Sequence, residues 1–236
     1  MAAASTIIER LYLMEVAYLT PGNLPVVCYL AQTDDDKHIL IDSGVQEWAE
    51  LPPGMGLIPG ISLIDQLAML GLQPRHIDML ICTHFDIDHS GYQGVFTHAQ
   101  YVVQRAHYLY AFTSDRCAQT RSQWDQPMAR YRFLDGDTEL LPGLTAIETS
   151  GHVPGHQSVL VRLPQTGAVL LTIDAVPSQK QFVPNRSVND EVDAAGVLGS
   201  TLKLLDIAQR ERASLVIFGH DADQWQRLKK APEYYR

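Results

Sequence analysis

Two histidines and two aspartates fall within six residues of the stretch Ile81–Gly91, ICTHFDIDHSG: His84, Asp86, Asp88 and His89. Imidazole nitrogens and carboxylate oxygens are the donors that divalent metals take. A buried aspartate is costly unless it is paired, hydrogen-bonded or metal-bound. In an extended segment the i, i+2, i+4 spacing of His84, Asp86 and Asp88 points the three side chains the same way. His89 then sits where a helix could begin. The chemistry this predicts is metal binding.

The same residue types recur further along the chain, each time at the end of an apolar run. Thr149-Ser-Gly-His152-Val-Pro-Gly-His156 lies in a Gly/Pro turn, Leu170-Leu-Thr-Ile-Asp174 ends in an aspartate, and Val216-Ile-Phe-Gly-His220 ends in Gly-His. Any one of these alone is an ordinary loop residue. Together they assemble a metal site from strand C-termini on a rigid scaffold. His156 has two open readings, as a group that orients a ligand or the turn, or as a simple cap of the turn. His38, His76, His98 and His107 are read as surface or satisfied histidines without a role.

These residues must be positioned by strands. Runs rich in Val, Ile and Leu occur at Val26–Leu30, His38–Ile41, Met79–Cys82, Tyr101–Val103, Leu144–Ile147, Ser158–Val161, Ala168–Ile173 and Ser214–Phe218, most of them bounded by Gly, Pro, Asp or Asn. Helical spacing appears for Leu63, Leu67, Leu70 and Leu72, and more weakly over Arg105–Phe112. The longest helix is predicted from about Asn189 to Arg212. Val192, Ala195, Leu198, Leu202 and Leu205 would form its apolar stripe, and Asn189 or Asp190 its cap. The pattern argues for a layered α/β or α+β domain with sheets inside and helices outside.

The chain has 236 residues, 46% of them hydrophobic, with no repeat and no low-complexity tract, so one domain over residues 1–236 is expected. A net charge of −9 disfavours a nucleic-acid groove or an anionic membrane as partner. A small neutral or zwitterionic substrate fits better. No apolar run reaches transmembrane length, and the start, MAAASTIIERLYLM, has no basic leader pattern. Three widely spaced cysteines, Cys28, Cys82 and Cys117, offer no disulfide framework, which suits the cytoplasm.

With these motifs in place, the chain resembles the metallo-β-lactamase-superfamily hydrolases. Their motif His-x-His-x-Asp-His stands here as His84-Phe-Asp86-Ile-Asp88-His89, and Ile39-Leu-Ile-Asp42-Ser-Gly44 resembles their strand-Asp-(Ser/Thr)-Gly element. Within that superfamily it is most similar to the N-acyl-homoserine lactonases. The likeness is carried by Thr20–Tyr29 (TPGNLPVVCY), Gly151–Ser158, Leu170–Ala175, Phe218–Asp221 and Pro232–Tyr235. The resemblance implies a four-layer αβ/βα sandwich of the α+β class and two divalent metals, zinc first. One metal would take His84, the residue at 86 and His152. The other would take Asp88, His89 and His220, with Asp174 bridging and Asp42 behind the ligands. It implies a metal-dependent hydrolase that opens the lactone ring with a bridging hydroxide. Asp88 would shuttle the proton and Asp174 would fix the metal separation.

Two departures stand out. The family's second histidine is Asp86, a shorter, harder, anionic donor. Two divalent ions and a hydroxide against three aspartates leave a neutral cluster, where a histidine at 86 would leave one positive charge. That admits manganese, iron or cobalt beside zinc. The tyrosine that many of these lactonases carry three residues after the bridging aspartate is Pro177, which has no side-chain donor. The oxyanion must then lean on the metals or on another donor, of which Tyr18, just before the TPGN loop, is one candidate. Met55, Leu57, Ile58 and Ile61, in the apolar loop LPPGMGLIPGIS, are read as a substrate-side wall or a homodimer contact, or equally as a loop tucked beneath the domain. The rival readings are another lactonase, esterase, thioesterase or phosphodiesterase on this scaffold, a diiron redox protein, and a ligand sensor with a degenerate site.

Overall fold

The computed structural model describes residues 6–47, 49–188 and 193–236. Two sheets face each other. The larger holds seven strands in the order β4-β1-β2-β3-β5-β6-β7, and the smaller five in the order β12-β11-β10-β9-β8. In the first sheet β1 (Ile8–Thr20), β2 (Leu24–Thr33), β3 (His38–Ile41) and β4 (Gly56–Pro59) pair antiparallel, while β3, β5 (Met79–Ile81), β6 (Gln100–Gln104) and β7 (Tyr131–Leu134) run parallel. In the second, β8 (Thr138–Leu141), β9 (Leu144–Glu148), β10 (Gln157–Leu163) and β11 (Gly167–Ile173) are antiparallel, and β12 (Leu215–Phe218) lies parallel to β11.

Alternation along the strands builds three apolar layers. Leu11, Leu13, Val27 and Tyr29 meet Val159, Val161, Val169 and Leu171 between the sheets. The other face of the large sheet, with Met14, Cys28 and Leu80, packs against α1 (Leu63–Met69), α2 (Arg105–Thr113) and α3 (Arg121–Trp124) through Leu63, Leu67, Tyr108, Ala111 and Trp124. The outer face of the small sheet, with Leu160 and Leu170, is covered by Leu204 and Ile207 of α4 (Ala194–Arg210). Helix, sheet, sheet, helix is the expected four-layer αβ/βα sandwich. Among the described residues no helix is long and apolar enough to cross a membrane.

All eight strands read from the sequence form. Four more, β1, β4, β7 and β8, were not anticipated. The last long helix differs in two ways from its prediction. Its first turn is capped by Asp193, whose carboxylate accepts from the Gly196 amide, while Asn189, Asp190 and Val192 lie outside the described residues. Its buried face is Val197, Ser200, Thr201, Leu204 and Ile207. Ala195 and Leu202 are exposed, and Leu198 and Leu205 half-buried. The stripe is rotated because the helix starts hard against the loop before β10. A Cβ on Gly151 would meet the Val197 amide nitrogen at 2.3 Å, and the Ser200 hydroxyl donates to the Ser150 carbonyl at 2.6 Å.

Candidate metal centre

The donors gather at one end of the sandwich, on loops that leave strand C-termini. After β5 the chain runs irregularly through His84 and Asp86, then turns, with the His89 and Ser90 amides donating to the Asp86 carbonyl. The straight segment expected from the spacing is therefore bent. The bend sends His84 and Asp86 to one side and Asp88 and His89 to the other. Asp174 follows β11 at a point where Ile173 adopts φ 53°, a costly conformation for a β-branched residue. It coincides with a register shift between Leu171 and Ile173 against β12. The Thr172 hydroxyl donates to the Val176 carbonyl at 2.7 Å and holds the turn. Gly219 precedes His220 because a Cβ there would stand 3.2 Å from the Asp174 carboxylate.

Two sets of donor atoms result. In the first, Nε2 of His84 lies 3.3 Å from Asp86 Oδ2 and 3.8 Å from Asp174 Oδ2. Nε2 of His152 lies 3.1 Å and 3.5 Å from the same two oxygens. In the second, Nε2 of His89 lies 3.6 Å from Asp88 Oδ2 and 3.4 Å from Asp174 Oδ1, and Nε2 of His220 lies 3.6 Å and 3.1 Å from them. A tetrahedral shell with donors about 2.0–2.2 Å from its ion separates neighbouring donors by about 3.3–3.6 Å. The His–Asp distances in both sets, 3.1–3.8 Å, are close to that size, and His84, His152 and Asp174, like Asp88, His89 and His220, bring their donor atoms within 4.8 Å of one another. Asp174 gives one oxygen to each.

Nε2 of His84, Nε2 of His89 and Oδ1 of Asp174 are buried and hydrogen-bonded to nothing among the described residues. Such atoms are rare unless an ion or water completes them, so the donor set fits a pair of divalent cations.

The other ring nitrogens are fixed from behind. Nδ1 of His89 donates to Asp42 Oδ2 at 2.8 Å, Nδ1 of His84 lies 3.0 Å from the Thr83 hydroxyl, and Nδ1 of His220 lies 2.9 Å from the Pro25 carbonyl. Each of these rings is thereby set to present Nε2 to the site. Asp42, itself at φ 59°, also accepts from the Thr83 amide and hydroxyl at 2.8 and 2.7 Å. His156 is fully buried. Its Nδ1 lies 2.8 Å from the Thr149 hydroxyl and its Nε2 accepts from the Asp174 amide at 3.3 Å, so it stands behind Asp174 and outside both donor sets.

Electrostatics follows from this crowding. Burial opposes charge on His220 and His89, but Asp174 and Asp88 outweigh it: His220 is pushed up to about 9 and His89 well above its ordinary range. Burial wins at His84, lowered to about 3, and at His156, lowered well below the usual imidazole range. Asp174 resists burial and is held well below the carboxylate range by His220 and His89. The aspartates demand positive charge, which divalent ions supply more fully than protons on two imidazoles.

The donors floor a cavity of about 460 Å³. Leu19, Leu24, Leu51, Met55 and Ile87 form its apolar part, and Glu50, Asp115, Arg116 and Gln119 its polar part. Of the expected substrate contacts, Met55 is in this wall. Leu57 packs against the core on the helix side of the large sheet, and Ile58 and Ile61 are exposed, so these three lie outside the wall. Tyr18 also lies outside it: its strand places the hydroxyl on Glu15, which is paired with Lys230.

Two residues were missed. His107 is buried. Its Nε2 accepts from the Phe85 amide at 2.8 Å and its Nδ1 lies 2.9 Å from the Pro154 carbonyl, so it ties together the loops that carry His84 and His152. Arg116 grips Asp86. Neither sits in a motif, and no local signal marks either.

The site can be set beside known proteins. Residues 21–220 match the Metallo-beta-lactamase superfamily. An N-acyl homoserine lactonase of Bacillus thuringiensis is 33% identical over 92% of this chain and 90% of its own length. An N-acyl homoserine lactonase of Rhizobium johnstonii is 36% identical over 90% and 88%. The solved structure of an N-acyl homoserine lactone hydrolase with N-hexanoyl-L-homoserine at its catalytic metal centre superposes with a TM-score of 0.84 at 28% identity, covering 97% of this chain and all of that one. On its fold, its donor geometry and these likenesses, the chain belongs to the metallo-β-lactamase superfamily and, within it, to the N-acyl homoserine lactonase family.

Proposed function

We propose that this protein hydrolyses the lactone ring of N-acyl homoserine lactones, and so quenches quorum signals, with two divalent ions held as described. The observation that carries the reading is the pair of tetrahedron-sized donor sets sharing Asp174 beneath a partly apolar cavity. When bound, the ions supply an activated water and polarise the lactone carbonyl. His84, Asp86 and His152 would hold one ion, and Asp88, His89 and His220 the other. Asp174, with one oxygen toward each set, would set their separation. Asp88 gives one oxygen to its set. The other is left to take the proton of the attacking water and pass it to the departing alkoxide. Leu19, Leu24, Leu51 and Met55 shield the acyl chain. The four imidazoles suit zinc, and the oxygen of Asp86 admits manganese, iron or cobalt. Cys28, Cys82 and Cys117 are all free and buried, which supports a cytoplasmic site of action.

Proton release on adding N-acyl homoserine lactones of short and long chain tests this, with enzyme loaded separately with zinc, manganese, cobalt and iron. Metal-dependent acidification is expected with at least one ion. No release with any ion would overturn the lactonase reading and turn the search to other esters and phosphodiesters.

A further inference from the structure

Asp86 is buried beside His84 and His152, and the cation that reaches it is Arg116. Arg116 Nε donates to Oδ1 at 2.6 Å and Nη2 donates to Oδ2, so the guanidinium grips both oxygens. Nη2 also lies 2.8 Å from Nε2 of His152. This is not a pairing of two mobile surface chains. Arg116 belongs to the 3₁₀ turn Asp115–Cys117, whose Cys117 is fully buried. The Cys117 carbonyl accepts from Trp124 Nε1 at 3.0 Å, the Thr120 hydroxyl donates to the Phe85 carbonyl at 2.8 Å, and the Phe85 ring stacks on Trp124 at 5.1 Å. The residue before Asp86 is thus pinned to the segment that carries Arg116.

We propose that Asp86 and Arg116 form one ligand unit, in which the carboxylate supplies the donor and the guanidinium orients it and returns the positive charge that a histidine at 86 would have left. The neutral cluster counted from the sequence omitted Arg116. With its charge included, the cluster carries the same single positive charge as one built on a histidine. Two oxygens make the double duty workable. Oδ2 lies with the ring nitrogens of the first set and accepts from Nη2, while Oδ1 is engaged by Nε. An ion and Nη2 cannot share Oδ2 and the lone pair of His152 Nε2. A bound ion would take both in place of Nη2, and would leave Arg116 the bond from Nε to Oδ1. Arg116 is on this account a positioning residue that acts through Asp86.

The inference rests on the dinuclear reading but not on the substrate, so its test uses none. Zinc affinity is measured by competition with a chromophoric chelator for the parent, Asp86→His, and Asp86→His combined with Arg116→Gln. Asp86→His sets an imidazole against the guanidinium with an excess of charge, and should weaken the first ion about tenfold or more. Adding Arg116→Gln should restore most of that loss. A double variant as weak as Asp86→His would overturn the proposal. Should Asp86→His fail to fold, the visible spectrum of cobalt-loaded Arg116→Gln decides: a shift from the parental bands is expected, and unchanged bands would overturn it. Lactone turnover is scored separately. A parent that opens no lactone but shows this coupling would sink the proposed function and keep the ligand unit.

Discussion

The two donor sets share Asp174, and Asp42 backs both, directly at His89 and through the Thr83 hydroxyl at His84, but their direct charged neighbours have opposite signs. Behind the second set stands an anion: the buried Asp42 carboxylate on Nδ1 of His89, locked by two bonds from Thr83. Beside the first set stands a cation, the partly exposed Arg116 on Asp86. An anion behind an imidazole makes it a better donor. A cation on a carboxylate makes it a weaker one but keeps the total charge positive. Both sets reach the cavity, the first through Asp86 and His152 and the second through Asp88 and His220; what separates them is the sign of the charge placed beside them.

The largest effect should come from breaking what the sets share. Asp174→Ala removes an oxygen from each and should loosen both ions and lower turnover by about 10³-fold or more, since electrostatic stabilisation of this kind is worth about 10²–10³ per group. Metal content and rate, measured together, check this; two retained ions with full activity would refute the bridge. Next, Asp42→Asn should weaken the second ion by about 10–100-fold. Chelator competition should show two unequal steps moving further apart, and an equal loss at both sets would erase the contrast.

The smallest effect is on pH dependence. In chelated protein, His220 has a folded value raised to about 9 against an ordinary 6.5. Its stabilisation is complete below pH 6.5 and is lost as pH rises through 9. His107, lowered by burial to about 4, has the opposite sign. It favours the fold above pH 6.5, and that contribution is lost as pH falls toward 4. Melting temperature of chelated protein should therefore peak near pH 6.5. Zinc, which needs neutral imidazoles, should flatten the alkaline limb. An alkaline limb that falls equally with and without zinc would remove His220 from the metal set.

How much of this was legible depended on chain distance. Short apolar runs ending in Asp or His marked eight of the strands and the His and Asp residues that the fold brings together at one end of the sandwich, because one strand end is a local pattern. β1 was missed because Glu9, Arg10 and Glu15 interrupt it and no turn residue marks its start. The face of α4 was misjudged by a small rotation, because the contact with Gly151 that sets it lies over forty residues away. Arg116 and His107 were invisible for the same reason: each acts on a loop about 20–30 positions off in sequence. Tyr18 was proposed from its place before the TPGN loop, but strand pleating decides its direction, and it turns to Glu15.

His84, Asp86, Asp88 and His89 leave the seven-stranded sheet, whereas His152, Asp174 and His220 leave the five-stranded one. On the proposed assignment each ion would therefore draw donors from both halves of the sandwich and would work as a rivet between them. Ions that bind only the docked arrangement favour it by mass action, worth about 2.7 kcal/mol at a hundredfold excess over the dissociation constant. Withdrawing them should leave each sheet's own ladder intact and loosen the seam. Amide exchange would quicken first where the chain leaves β5, β11 and β12, and last in the middle of β2 and β10.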